Sequence, residues 1–299
     1  MAKFIENFVK NNNDFVNSDA MLAYVEPFNV ERIFDVGYST NSRLTFDLYR
    51  PISYTGLLPV IIDIHGGGWY GGRKENNKAF AMELAKKGFA VFVPEYTLVP
   101  EADLKLELRE LCSFLNWYEL HYSEYDCDIK KTCICGDSAG GQLASTLLNI
   151  TQNKRVAEYF NVNVSLTFSG ACFIGGVLYM GKMARKPLMG MYFKAILGKK
   201  YRSSRITDYV NFCDNVAVEC PPIYLVTSEQ DFMKSHSIKA AAELKAKGLK
   251  CELMNWARPQ DKKHKLVHVF NILYPTFNES AVTNTSITTF FAACVSDKK

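Results

Sequence analysis

The sequence predicts a single α/β domain: a mostly parallel central sheet with helices on both faces. Three observations predict it. Apolar runs of strand length alternate with stretches of helical periodicity along most of the 299 residues. Most of those runs are near-continuously apolar, as strands covered on both faces require. A Gly-x-Ser-x-Gly turn, Gly136 to Gly140, stands directly between one such run and a helical stretch.

Taken in order, the strand runs are Pro59 to Ile64, Ala90 to Pro94, Thr132 to Cys135, Val162 to Phe168, Ile223 to Thr227 and Cys251 to Asn255. Val162 to Phe168 alternates strictly between apolar and polar residues, so it reads as a strand with one face less deeply covered. Helical periodicity runs over Lys78 to Lys87, Lys105 to His121, Gly141 to Gln152 and Ser235 to Lys247, the last stopped by Gly248. Two segments fall outside the alternation. Residues 1 to about 30 carry Phe4, Ile5, Phe8 and Val9 at helical spacing, and residues 171 to about 205 are rich in Met, Phe, Tyr and Gly. Each is either helix packed on the core or part of a small helical lid over an apolar pocket, where Met and aromatic side chains suit a variable ligand. Gly175, Gly176, Gly181 and Gly190 favour short helices with hinge-like breaks, since a glycine inside a helix costs about 1 kcal/mol relative to alanine. No internal repeat or low-complexity linker divides the chain. The organisation expected is one domain, 1–299, with lid elements at about 1–30 and 171–205.

Composition narrows the function classes. Hydrophobic residues make up 48%, charged residues 22%, and the net charge is only +4. The densest basic run is Lys262-Lys263-His264-Lys265, too small an excess for nucleic acid. Nine cysteines without a Cys-x-x-Cys pair fit reduced thiols rather than a disulfide framework. No apolar stretch reaches the roughly 18 residues needed to cross a bilayer, so no stable membrane insertion is expected. The first residues lack the continuous apolar core of a signal peptide, and the location expected is cytoplasmic.

The chemistry concentrates in three places. In Gly136-Asp137-Ser138-Ala139-Gly140-Gly141, a strand turns sharply into a helix, and the small residues let the two backbones pass beside an exposed serine. The alternative is a plain structural turn. The context favours a nucleophile, because the free N–H groups of the helix N-terminus point at the reacting centre. The second place is a strand that runs straight into His65-Gly66-Gly67-Gly68-Trp69. A glycine triplet there leaves backbone N–H groups free to converge on a developing oxyanion, each worth about 3 kcal/mol in the transition state. His65 reads as a residue that orders this loop. The third place holds the acid and base. The strand Ile223 to Thr227 ends in Ser228-Glu229-Gln230-Asp231, at the sheet edge where ligands bind. His236, His264 and His268 follow; His236 reads as a surface residue, while His264 and His268 both lie beyond the last strand. Either of these two can supply the base, and either Glu229 or Asp231 the acid.

These motifs resemble the hormone-sensitive-lipase-like carboxylesterase family of the α/β-hydrolase superfamily, marked by H-G-G-G and G-D-S-A-G-G, both intact here. The family's Y-R-L-x-P-E stands as Tyr96-Thr97-Leu98-Val99-Pro100-Glu101, with Thr97 in place of Arg, and its P-P as Pro221-Pro222. Its acid falls on Asp231, where D-P-L reads Asp231-Phe232-Met233. Its H-G-F falls on His268-Val269-Phe270, which selects His268 over His264. The resemblance covers roughly residues 35 to 275. It implies a serine carboxylesterase acting on short- to medium-chain esters of small molecules, with no metal or organic cofactor. Ser138, His268 and Asp231 form its triad, and the N–H groups of Gly67, Gly68 and Ala139 its oxyanion hole. Trp69, Met189 and Phe193 are expected at the substrate pocket. An amidase or peptidase with the same triad, and a catalytically inactive small-molecule receptor, are the rival readings.

Overall fold

The computed structural model describes residues 18–186, 190–260 and 264–296. Eight strands run β1 (Val30–Gly37), β2 (Thr45–Pro51), β3 (Leu58–Ile64), β4 (Ala90–Pro94), β5 (Cys127–Asp137), β6 (Gly170–Ile174), β7 (Ile223–Ser228) and β8 (Cys251–Trp256). They form one sheet in the order β1-β2-β4-β3-β5-β6-β7-β8. β1 and β2 pair antiparallel, as do β2 and β4, and every later pairing is parallel. The register matters for the site. Ile64 lies opposite Gly136, Asp137 opposite Ile174, and Ile174 opposite Val226. The carboxyl ends of β3, β5, β6 and β7 therefore open side by side at one edge.

The helices are α1 (Asp19–Leu22), α2 (Lys78–Ala85), α3 (Leu104–His121), α4 (Ser138–Gln152), α5 (Lys154–Phe160), α6 (Met180–Ala184), α7 (Gly190–Ile196), α8 (Ile206–Tyr209), α9 (Phe212–Asn215), α10 (Lys234–Ala246), α11 (Phe270–Leu273) and α12 (Asn278–Val295). On one face of the sheet Val60, Ile62 and Ile134 pack with Leu108, Leu111, Phe114 and Leu115 of α3. On the other, Ile61, Cys133 and Cys135 pack with Phe80, Met82 and Leu84 of α2 and Ile287 and Phe291 of α12. Each such fully buried Leu, Ile or Phe side chain contributes about 1.5–3 kcal/mol relative to exposure. Local rules set the helix ends. The Asp103 side chain accepts the Leu106 N–H at 3.1 Å at the start of α3. Gly248, at φ +75°, follows α10 where the chain turns left-handed.

Five of the six expected strands and all four expected helices form. Val162–Phe168 does not pair as a strand, and the strand falls instead on Gly170–Ile174. The alternation there is real, since Val164, Leu166 and Phe168 are buried while Asn163, Ser165 and Thr167 are exposed. The segment is extended, but it lies along α3: Asn116 donates to the Asn163 carbonyl and Ser165 to Glu119. The first residues of the segment expected as a lid, 171–205, belong to the sheet as β6, and the chain leaves the sheet at Gly175. Phe4, Ile5, Phe8 and Val9 lie outside the described residues. Among the described residues no helix is long and apolar enough to cross a membrane.

Candidate active site

Two tight connections build the site. β5 passes directly into α4 at Ser138, whose φ of +52° is a left-handed conformation rare for a non-glycine residue. Gly136 and Gly140 permit the turn. A Cβ on Gly136 would meet the Gly140 carbonyl oxygen at 2.5 Å, and one on Gly140 would meet the Ile64 carbonyl oxygen at 2.0 Å. Ser138 thus stands at the helix N-terminus beside the end of β3.

Beyond β3 the chain folds back through Gly67 (φ +130°), Gly68 (φ +61°) and Trp69 (φ +67°). A side chain at Gly67 would place its Cβ 1.8 Å from the Gly71 carbonyl oxygen, so glycine is required there. Among the described residues the Gly67 and Gly68 N–H groups donate to no acceptor. The Ala139 N–H, in the first turn of α4, likewise has no partner within its own helix. His65 orders the loop. Its Nδ1 bonds the Gly66 carbonyl at 2.8 Å, its Nε2 meets Glu95 at 2.9 Å, and its ring stacks on Tyr96. Burial opposes protonation of His65, but Glu95 outweighs it and raises the imidazole pKa. Tyr96 donates its hydroxyl to the His65 carbonyl at 2.8 Å, while Thr97, where the family has Arg, is held by Glu110.

The chain brings Asp231, His268 and Ser138 into one line. His268 Nε2 lies 2.8 Å from Ser138 Oγ, and its Nδ1 lies 2.7 Å from Asp231 Oδ1. Asp231 also accepts the Thr227 hydroxyl at 3.1 Å and the Met233 N–H at 2.7 Å, which fixes the carboxylate. The loop carrying His268 is pinned by Ser228, whose hydroxyl donates to the Leu266 carbonyl, and by Gln230, which accepts the Leu266 N–H at 3.0 Å. Phe232, though exposed, lies against the His268 ring. Val269, where the family has glycine, sits at φ +49°. A β-branched residue there stores strain of about 1–3 kcal/mol next to the imidazole.

The rival side chains go elsewhere. Glu229 is held at the surface by Lys234 and Asn255, and Lys234 is the main cause of its lowered pKa. His264 meets Glu279 at 3.0 Å. His236 is not the free surface residue the sequence suggests: its Nδ1 accepts the Tyr179 N–H at 3.3 Å, and it is half-buried. Trp69 and Phe193 are buried against each other, ring centroids 6.1 Å apart, and Trp69 donates its indole N–H to Gln142 at 3.1 Å. Met189 lies outside the described residues. The glycines of the expected lid act by close approach. A Cβ on Gly181 would meet the Thr207 carbonyl at 2.1 Å, and one on Gly175 the His268 ring at 2.9 Å. Sequence reasoning missed Asp63 and Asn77, which join Asp137 in a buried polar cluster behind the glycine loop.

Known proteins share this fold. A family model described as alpha/beta hydrolase fold matches residues 61–267. An esterase from Gibberella moniliformis is 30% identical over 100 residues, 33% of this chain and 31% of its own. A kynurenine formamidase from Danio rerio is 26% identical over 147 residues, 49% of this chain and 46% of its own. The chain thus spans less than half the length of either relative. Among solved structures, esterase B from Lactobacillus rhamnosis superimposes with a TM-score of 0.83 at 26% identity, covering 98% of this chain and 93% of its own. The same esterase has been solved inhibited by a C4-C4 tributyrin phosphonate.

Proposed function

The chain belongs to the hormone-sensitive-lipase-like family of α/β-hydrolases, and we propose that it is a serine carboxylesterase acting on short- to medium-chain esters. Ser138 attacks the ester carbonyl while His268 takes its proton, and Asp231 holds the imidazole in the tautomer that can accept it. The developing oxyanion faces the N–H groups of Gly67, Gly68 and Ala139. His268 then returns the proton to the leaving alcohol, and water repeats the sequence on the acyl-enzyme. The observation that carries this proposal is the unbroken line from Asp231 through His268 to Ser138, at 2.7 and 2.8 Å. The tributyrin phosphonate on the Lactobacillus esterase supports a short acyl group. The nine cysteines, all free thiols, support a reducing compartment such as the cytoplasm.

The test is a series of p-nitrophenyl esters from acetate to palmitate. Hydrolysis should peak between butyrate and octanoate and vanish in Ser138→Ala. A folded Ser138→Ala protein that still turns over esters, or still labels with a fluorophosphonate, would remove Ser138 from this role. Amide hydrolysis by the same residues is the second reading, favoured by the formamidase among the relatives. A higher kcat/KM for a formamide than for the ester of the same acyl group would select it.

A further inference from the structure

We infer that Asp63 is a positioning residue for the oxyanion loop, acting through Asn77 and Asp137, and that its ionisation weakens the loop's support at alkaline pH. The inference rests on the serine-hydrolase mechanism proposed above. Asp63 is the next-to-last residue of β3, in a run otherwise apolar, and is fully buried. Its side chain's only hydrogen-bond partner among the described residues is Asn77, whose amide N–H₂ donates to Asp63 Oδ2 at 2.9 Å and to Asp137 Oδ1 at 3.0 Å. Asp137 Oδ1 accepts a second donor, the Gly66 N–H at 2.9 Å. Gly66 opens the glycine loop, and Asp137 immediately precedes Ser138. One amide therefore ties the start of the oxyanion loop, the residue before the nucleophile and a strand-buried carboxyl into a single unit.

Two buried carboxyls bridged by one neutral amide are poorly placed to be ionised together, because each charge is desolvated and repels the other. Donor count decides which keeps the charge. Asp137 has two N–H donors and, on its far side, His268; Asp63 has one donor, and its Oδ1 has no partner. The proton belongs on Asp63. The groups that face the pair are His65 from the end of β3, itself matched to Glu95, His268, matched to Asp231, and Cys135 from β5, a neutral buried thiol. None of them supplies an unmatched cation to a second carboxylate. Burial first, and Asp137 as a nearby charge, raise the Asp63 pKa to about 7. Above that pH a second negative charge competes for Asn77, repels Asp137 and so loosens the anchor of Gly66. It also opposes the charge that develops in the hole. Because both effects act on the transition state, kcat falls and KM does not.

The experiment measures kcat and KM for p-nitrophenyl butyrate from pH 5.5 to 9 in the wild type and in Asp63→Asn, which mimics the protonated acid. The wild type should lose roughly three- to tenfold in kcat on the alkaline side, with KM unchanged. Asp63→Asn should lose that limb and leave the acid side of the profile as in the wild type. An alkaline limb identical in the two proteins, or a change confined to KM, would overturn the inference. Should Asp63→Asn not fold, the fluorophosphonate labelling rate of the wild type decides: it should fall over the same alkaline range, and a flat profile sinks the idea. If no Ser138-dependent hydrolysis occurs at any pH, the serine-hydrolase mechanism itself fails and this inference falls with it. Ser138-dependent hydrolysis with an unchanged alkaline limb overturns only the role of Asp63.

Discussion

The sheet edge that carries Ser138 and the proposed cap, residues 175–186 and 190–209, lie next to each other, yet they are held by different forces. At the sheet edge the backbone is forced into left-handed conformations at Ser138, Gly67, Gly68, Trp69 and Val269. It is kept there by buried polar contacts, among them Asp137 to Gly66, His65 to Glu95 and Tyr96 to His65. The cap is held by apolar burial: Met180, Ala184, Phe193, Ile196, Leu197 and Tyr201 all join the core. Strained geometry needs specific residues at fixed places, whereas apolar packing needs only adequate volume. The edge can therefore tolerate few changes without loss of chemistry, and changes in the cap should be felt first as stability.

The widest separation between the two regions should come from the triad. Ser138→Ala and His268→Ala should each lower kcat by about 10³–10⁶-fold with Tm little altered, and removing both should cost no more than removing one. His264→Ala and His236→Ala should retain most of the activity. A lethal His264→Ala would break the assignment of the base, since His264 is drawn towards Glu279 in the fold.

A pair of glycine substitutions sharpens the contrast further. Gly140→Ala and Gly181→Ala introduce similar backbone clashes, at 2.0 and 2.1 Å. Both should lower Tm. Only Gly140→Ala should abolish fluorophosphonate labelling of the molecules that remain folded, because it displaces the elbow from the end of β3. Equal labelling per folded molecule in the two variants would mean that the elbow yields as easily as the cap.

The same difference decided what could be read from the sequence. The elbow and the glycine loop were legible because their backbone geometry admits so few residues that the motif survives as a string. The proposed acid and base were marked only by the flanking Asp231-Phe232-Met233 and His268-Val269-Phe270, since spacing alone left two candidates for each. Asp63 and Asn77 gave no signal, and neither did the partner of His236. Asn77 reaches a partner 60 positions away, and nothing local marks a buried polar residue before the fold supplies its partner. β1 and β2 went unread because β1 is an edge strand carrying Glu31, Arg32 and Asp35 among its apolar residues. α12 is rich in Thr and β-branched residues, poor helix formers that tertiary packing overrides. Val162–Phe168 shows the converse: correct alternation, but with a helix for a neighbour where a strand was expected.

In the cap, Phe193→Ala is the next test in size. Complete burial of Phe193 against Trp69 makes a loss of about 3–5 kcal/mol the expected cost, read as a fall in Tm. The kcat/KM ratio of butyrate to octanoate esters should change less. A large shift in that ratio with Tm preserved would instead give the cap the role of a pocket wall, as its Met and aromatic content first suggests.

The smallest effect is expected at the joint between the two regions, and it depends on pH. His236 lies at the start of α10 with its Nδ1 accepting the Tyr179 N–H, the last backbone group before α6. Burial, with Lys186 and Lys239 adding repulsion, lowers its pKa to about 4. The folded protein therefore resists a proton that the unfolded chain takes up near pH 6.5. Between those two values the unfolded state binds more protons, so stability rises with pH. The contribution is complete above pH 6.5 and is lost as pH falls through 4. Allowing for partial exposure, it amounts to about 1–2 kcal/mol. Protonation at Nδ1 would also remove the acceptor for Tyr179, so the loss should begin in the cap. His236→Gln should flatten the decline in Tm between pH 6.5 and 4 relative to the wild type. The protection of residues 179–186 against hydrogen exchange, relative to the intrinsic rate at each pH, should fall over the same range in the wild type, while that of α4 is kept. If α4 opens as early as the cap, His236 does not act at a joint, and the two regions unfold as one.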